Sequence, residues 1–259
     1  MKIIYVVIGV LLSITLTNRG LAQGPPITAD KPIMLGGKTK LIKTLSEFRK
    51  TEQGEFLSLP VMLHYLPTSN SLVGIHVPFV NYSLSGENGS NNSLGDIAIL
   101  GKYQFYRKDQ MGKTFMVVAK TLQTLPTGEK LSADGISTGT YQSYQGIVAG
   151  YESIKYGVSN ELGYNLVPDN SNDELRYKLG FGLPLKKPVY PVNQVNLFFE
   201  YQSSWFTERE DFLMLFAQGI QYAKGRLTVE AAVQVPIIQS LPENLKREYS
   251  IFFGTRYIL

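Results

Sequence analysis

Between residues 227 and 238 the chain alternates without a break. Leu227, Val229, Ala231, Val233, Val235 and Ile237 fall on one side, and Thr228, Glu230, Ala232, Gln234 and Pro236 on the other. A period of two is the signature of a strand with one greasy face and one more polar face. The pattern recurs: Leu175, Tyr177, Leu179, Phe181, Leu183 and Leu185 oppose Arg176, Lys178, Gly180, Gly182 and Pro184, and Val195, Leu197, Phe199, Tyr201 and Trp205 oppose Asn196, Glu200 and Gln202. Segments of this kind, parted by Gly, Asn, Asp, Pro and Ser, predict strands over 56–66, 72–83, 95–106, 114–124, 141–154, 158–167, 175–185, 195–206, 212–223, 227–238 and 248–259. A chain built this way, with no helical period, folds as packed sheets or as a closed barrel.

The connections favour the barrel. Tight ones at 67–70, 155–157 and 224–225 alternate with long or polar ones at 86–93, 126–140, 168–173 and 239–247; only 186–194 breaks the rhythm. Membrane barrels of bacteria have short periplasmic turns, longer outer loops and an even number of strands. With the carboxy-terminus in the periplasm, the loop 239–247 is external, and counting back makes 67–70 periplasmic. The strand 56–66 then starts outside, so an earlier rising strand must precede it, within 39–48. The expected fold is all-β, an antiparallel up-and-down transmembrane β-barrel of about 12 strands.

The amino-terminus adds a compartment. Met1-Lys2 leads into an apolar run, Ile3 to Leu16, followed by Thr17-Asn18-Arg19, with small residues at Gly20 and Ala22. At roughly 14 residues the run is too short to cross a bilayer and reads as a secretory signal peptide cut after Ala22. The expected division is a signal peptide at 1–22, an irregular segment at 23–38 and a barrel at 39–259. The 16 Tyr and 13 Phe suit a pleated surface. With no cysteine there is no disulfide scaffold, thiolate metal site or cysteine nucleophile. The net charge is +4, with basic residues scattered apart from Lys38, Lys40, Lys43, Arg49 and Lys50, for which a solvated loop is expected in preference to a surface that meets lipid phosphates. Nucleic-acid binding has no motif to support it.

Alternation alone does not say which face is inside. The polar face carries Asp96, Lys102, Lys120, Glu152, Glu161, Arg176, Lys178, Glu200, Glu230 and Arg256, together with Gly74, Gly146, Gly150, Gly163, Gly180, Gly182 and Gly254. Charges of both signs spaced by glycine suit a wet lumen. Tyr65, Tyr103, Tyr201, Trp205, Tyr222, Tyr249 and Tyr257 stand on the opposite face near strand ends, as interfacial girdles do. The last strand runs to the final residue, ending on Leu259 where an aromatic is usual.

Several segments extend this reading. Leu94-Gly95-Asp96-Ile97 with Leu100-Gly101-Lys102-Tyr103, then Thr124-Leu125-Pro126-Thr127-Gly128, then Val233-Gln234-Val235-Pro236 and the closing Gly254-Thr255-Arg256-Tyr257 resemble, in order and spacing, a family of outer-membrane proteins named for the meta-cleavage pathway of phenol degradation. Ile27-Thr28-Ala29-Asp30-Lys31-Pro32 is similar to that family's opening, where Arg is commoner than Lys31. The resemblance implies a barrel of this size and a role in moving small hydrophobic or aromatic compounds inward. It implies no catalytic residues.

Candidate chemistry is sparse. His64 and His76 share the polar face of one hairpin; if His64 lies opposite Gly74, His76 is its diagonal neighbour, roughly 7 to 8 Å away between Cβ atoms. No carboxylate in either strand completes a metal site, so two bonded lumen histidines are expected. Ser58 lies about 20 Å along the strand from His64, too far for a nucleophile and its base. Glu152 and Glu161 are expected to pair with Lys102, Lys120 or Arg176. No enzyme, cofactor or metal is expected. The expected function is an outer-membrane channel for small solutes, with a closed structural or adhesive barrel as the alternative and an enzyme or soluble ligand-binding barrel behind it. Expected partners are outer-membrane lipids and lipopolysaccharide, the barrel assembly machinery and a small-molecule solute. The segment before Thr39, with Pro25, Pro26, Pro32 and Gly36-Gly37, is too irregular for a strand and is a candidate lumen plug.

Overall fold

A computed structural model describes residues 26–84, 91–128, 137–168, 173–186 and 192–259; the signal peptide and its cleavage point lie outside them. The strands are β1 (Lys40–Thr51), β2 (Gly54–Tyr65), β3 (Ser71–Leu84), β4 (Asn91–Leu94), β5 (Ala98–Gln110), β6 (Lys113–Thr124), β7 (Gln142–Ser153), β8 (Gly157–Leu166), β9 (Glu174–Pro184), β10 (Asn193–Phe206), β11 (Asp211–Lys224), β12 (Leu227–Ser240) and β13 (Arg247–Ile258). All pairings are antiparallel, and β1 pairs with both β2 and β13, which closes the ring. The short β4 and the long β5 share one stave beside β3: β4 pairs with its upper part, Phe79–Tyr82, and β5 with its lower part, Ser71–His76, with Gly95-Asp96-Ile97 between them. The barrel therefore has 12 staves, as parity required, and β1 supplies the strand expected within 39–48.

The outer face is apolar around the ring. Leu59, Val61 and Leu63 on β2, Val73, Ile75 and Phe79 on β3, Ile147 on β7, Leu162 on β8, Ile220 on β11, Val233 on β12 and Ile251 and Phe253 on β13 are all exposed. An exposed belt of this extent is costly in water and suits lipid. Tyr65, Tyr103, Tyr222 and Tyr257 stand exposed at the end that holds the carboxy-terminus, and Trp205 at the other.

Tight turns follow their chemistry. Gly112 (φ 69°) and Gly225 (φ 57°) take the left-handed backbone that two-residue hairpins demand. Bulges at Phe105, opposite β6, and at Ile237, opposite β11, let the alternation slip, so Ile237 and Ile238 both face outward. Strand β1 alternates poorly because both of its faces are mixed. Inward it carries Leu41 and Leu45 with Lys43, Glu47 and Arg49, and outward Thr44 and Ser46 with Ile42 and Phe48. This corrects the expectation for the basic cluster. Of its five members only Lys38 lies off β1, and Arg49 is buried in an ion pair with Glu47 at 2.8 Å.

The interior is less polar than the alternation suggests. Residues 26–37 form no strand and run inside the ring, where Ile27, Lys31 and Met34 are buried. Met34 packs with Leu41, Leu66, Leu72, Leu100 and Val118, and Ile27 with Phe198, Ala232 and Phe252. The wall turns apolar side chains inward at the two places where this segment offers apolar side chains to meet them.

Candidate functional site

The inner wall holds the amino-terminal segment through a series of polar contacts. Glu200, on β10 and 3% exposed, accepts four hydrogen bonds with its carboxylate: from the backbone N–H of Ile27 and of Thr28 at 2.7 Å each, from the Thr28 hydroxyl at 2.5 Å and from the backbone N–H of Ala29 at 2.5 Å. Three successive N–H groups turned to one side make a small anion nest, and the wall supplies the anion. Lys178 Nζ donates to the carbonyl of Thr28 at 3.0 Å, and Gln104 Nε2 to the carbonyl of Pro32 at 3.3 Å.

Asp30 is the centre of a charge cluster. One carboxylate oxygen pairs with Lys102, and the other lies 2.9 Å from Lys120. Lys120 also pairs with Glu161 at 2.7 Å, and the hydroxyl of Tyr144 donates to the same Glu161 oxygen at 2.6 Å. Burial alone would raise the carboxyl of Asp30, but the two ammonium groups hold it well below the usual carboxylate range. Lys31 pairs with Glu152; for this lysine burial outweighs the partner and lowers its pKa.

The remaining predicted residues pair within the wall. Arg176 grips Glu174 through both Nε, at 2.9 Å, and a terminal nitrogen. Glu230 accepts from Gln221 at 2.8 Å and lies 3.5 Å from Lys43 and 3.6 Å from Arg256. His64 pairs across the ladder with Gly74, and its Nε2 lies 2.9 Å from Nε2 of His76. A Cβ at position 74 would fall 2.4 Å from the His64 ring, so only glycine leaves that ring its place. No group of three or more His, Cys, Asp or Glu able to hold a metal occurs among the described residues. Next to His76 a cavity of about 190 Å³ is lined by Ser58, Met62, Pro78, Asp96, Thr124 and Gln142, among others.

Asp96 stands apart from the others. It sits in the break between β4 and β5, 2% exposed, and its carboxylate accepts the backbone N–H groups of Gly128, Thr138 and Gly139 at 2.8 to 3.0 Å, holding the ends of the connection between β6 and β7. Sequence reasoning did not place Asp30, Lys31, Glu47, Glu174 or Tyr144 among the interior polar groups. Asp30 and Lys31 meet partners far along the chain, where no local spacing points to them, and Tyr144 reaches Glu161 on the adjoining strand; Glu47 and Glu174 each pair with an arginine two positions on in the same strand, Arg49 and Arg176, a spacing that the alternation does offer.

No family model matches the chain, and no curated protein matches it. Among solved structures it is similar to an outer membrane channel from Pseudomonas putida F1, with a TM-score of 0.66 and 13% identity over 92% of this chain and 100% of that one. It is also similar to the β domain of the Bordetella autotransporter BrkA, with a TM-score of 0.48 and 12% identity over 85% of this chain and 98% of that one. At such identities the likeness concerns architecture: the chain folds as a closed, antiparallel, 12-stranded β-barrel of the outer-membrane kind.

Proposed function

We propose that the protein is an outer-membrane channel for small solutes and that residues 26–37 close it in the state described here. A single observation carries the reading. Twelve staves enclose more space than the roughly eight whose side chains can fill a barrel, and the extra space is taken by a separable piece of the protein's own amino-terminus. Glu200, Lys178, Lys102, Lys120, Glu152 and Gln104 hold that piece by contacts that water or a solute can replace. A wall meant to be permanently solid would more simply be filled from its own strands. The protein is exported, the signal peptide is removed, and the mature chain is folded by the barrel assembly machinery into a membrane of phospholipid and lipopolysaccharide. The end with the tight turns at 67–70, 111–112 and 225–226 faces the periplasm, in keeping with the rule for such barrels. The sequence resemblance extends the solutes to small hydrophobic or aromatic compounds, a role the apolar patches around Leu45, Phe198 and Phe252 would suit.

The competing reading is a closed structural barrel whose segment never leaves, and the same contacts support it. Liposome swelling with small uncharged solutes and with aromatic compounds, together with planar-bilayer current, separates the two. Solute entry or discrete current in the wild type, enlarged by Glu200→Gln, is expected. Silence in the wild type and in all variants that loosen the segment refutes the channel.

A further inference from the structure

Lys102 on β5 and Lys120 on β6 are direct cross-strand partners in the ladder. Like charges placed opposite each other destabilise a sheet, and here both sit on the inner face, mostly shielded from water. Lys178 faces Glu161 from the next pair of strands, β9 and β8. The wall by itself therefore gathers three ammonium groups against the one carboxylate of Glu161. What makes the arrangement tolerable is Asp30, whose two oxygens each take one member of the Lys102–Lys120 pair. Asp30 belongs to the irregular segment and not to the wall, so the site survives its departure and its charge does not. Two fixed ammonium groups spaced to take one oxygen each make a receptor for a carboxylate, and charge-assisted bonds of this kind are the strong ones.

We propose that Lys102 and Lys120 form a carboxylate-binding site of the lumen, filled by Asp30 when the segment is seated and by the carboxylate of a small organic acid when it is not. The segment thus closes the barrel with a side chain that imitates a ligand. This inference rests on the channel reading for its biological use, but the site itself is tested without conduction. In Asp30→Ala the carboxylate is deleted and a hole of its shape is left between the lysines. Heat-modifiable migration of the refolded barrel is expected to show a lowered unfolding midpoint, restored by acetate at about a tenfold lower concentration than by chloride at matched ionic strength. Lys102→Gln in the same background abolishes the difference between the anions. Should Asp30→Ala fail to assemble in plain buffer, refolding yield becomes the readout, with acetate again expected to exceed chloride.

A second arm addresses the solute directly. In barrels opened by Glu200→Gln, benzoate is expected to reduce the chloride current reversibly, and Lys120→Gln to remove that block. Equal rescue by acetate and chloride would show screening only and overturn the site. Acetate-specific rescue in a barrel that never conducts would keep the site and sink the channel, whereas current without any carboxylate preference in either arm would do the reverse.

Discussion

Replacing Glu200 by Gln is the most direct test of how the segment is held. The native carboxylate accepts the Ile27 N–H with one oxygen and three donors from Thr28 and Ala29 with the other. An amide keeps one oxygen. Placed to serve the three donors, it turns its NH2 towards the Ile27 N–H, so one buried donor is orphaned and the other bonds lose their charge assistance. The orphaned group costs about 1–3 kcal/mol, and the weakened bonds add a comparable amount, partly offset by relaxation; about 3 kcal/mol in total is reasonable. That shifts the ratio of seated to released segment about a hundredfold. Because the chain has no cysteine, Ile27→Cys provides a clean reporter at a site 2% exposed. Its modification by a hydrophilic thiol reagent is expected to be slow in an otherwise native barrel and about a hundredfold faster with Glu200→Gln, since reaction of a transiently open site tracks the open population. Equal rates in the two backgrounds, with both barrels intact by heat-modifiable migration, would refute the assignment of Glu200 as the main anchor.

Gly150→Ala should release the segment by steric means alone. A Cβ there would come 2.7 Å from Pro32, while its nearest wall atom, the carbonyl of Val158, is at an ordinary 3.6 Å; bilayer current should rise with assembly unchanged. Val233→Arg, on the lipid face at 51% exposure, should cost about 2–4 kcal/mol near mid-bilayer and impair assembly, whereas Glu230→Gln should assemble and shift ion preference towards anions. Labelling of intact cells with an impermeant thiol reagent should tag Glu208→Cys and spare Ser69→Cys; the reverse pattern would invert the barrel in the membrane. Because Asp30 is held well below the usual carboxylate range, its contribution is full above about pH 3.9 and is lost only as pH falls through the lower folded value. The pairing of Asp30 with Lys102 and Lys120 should therefore be unchanged from about pH 7 to about pH 5, so any opening in bilayers within that interval would assign the pH-sensitive link to another group.

The staves were legible because a half-lipid, half-lumen strand must alternate, and segments such as 227–238 and 175–185 do so cleanly. Parity then demanded β1, which the local pattern hid, since Leu41 and Leu45 face inward where charges were expected and Thr44 and Ser46 face lipid. The inward charges were legible as a set, and so was the pairing of Glu161 with Lys120, but the pairing with the amino-terminal segment, including that of Glu152 with Lys31, was not. Asp30 meets Lys102 across 72 positions and Ile27 meets Glu200 across 173, distances over which local periodicity carries no information. Asp96 was placed with the wall because it continues the alternation of β5 backwards; the break at 95–97 turns it to the loop above instead.

The position of residues 26–37 directly ahead of β1 bears on how the barrel comes to be made. Strand β1 forms its seam with β13, the last strand of the chain, over a register running from Leu41 with Ile258 to Thr51 with Arg247. Until that seam forms, the sheet is an open, curling ribbon with the segment attached to one margin. A ribbon that curls around something tied to its own margin encloses it without threading. Lys102, Lys120, Glu152 and Glu200 lie on interior staves, so they can meet Asp30, Lys31 and the Ile27–Ala29 amides while the ribbon is still open, and the ring then shuts around charges already neutralised. On this account the segment is enclosed as the ring closes and has no need to enter a finished barrel.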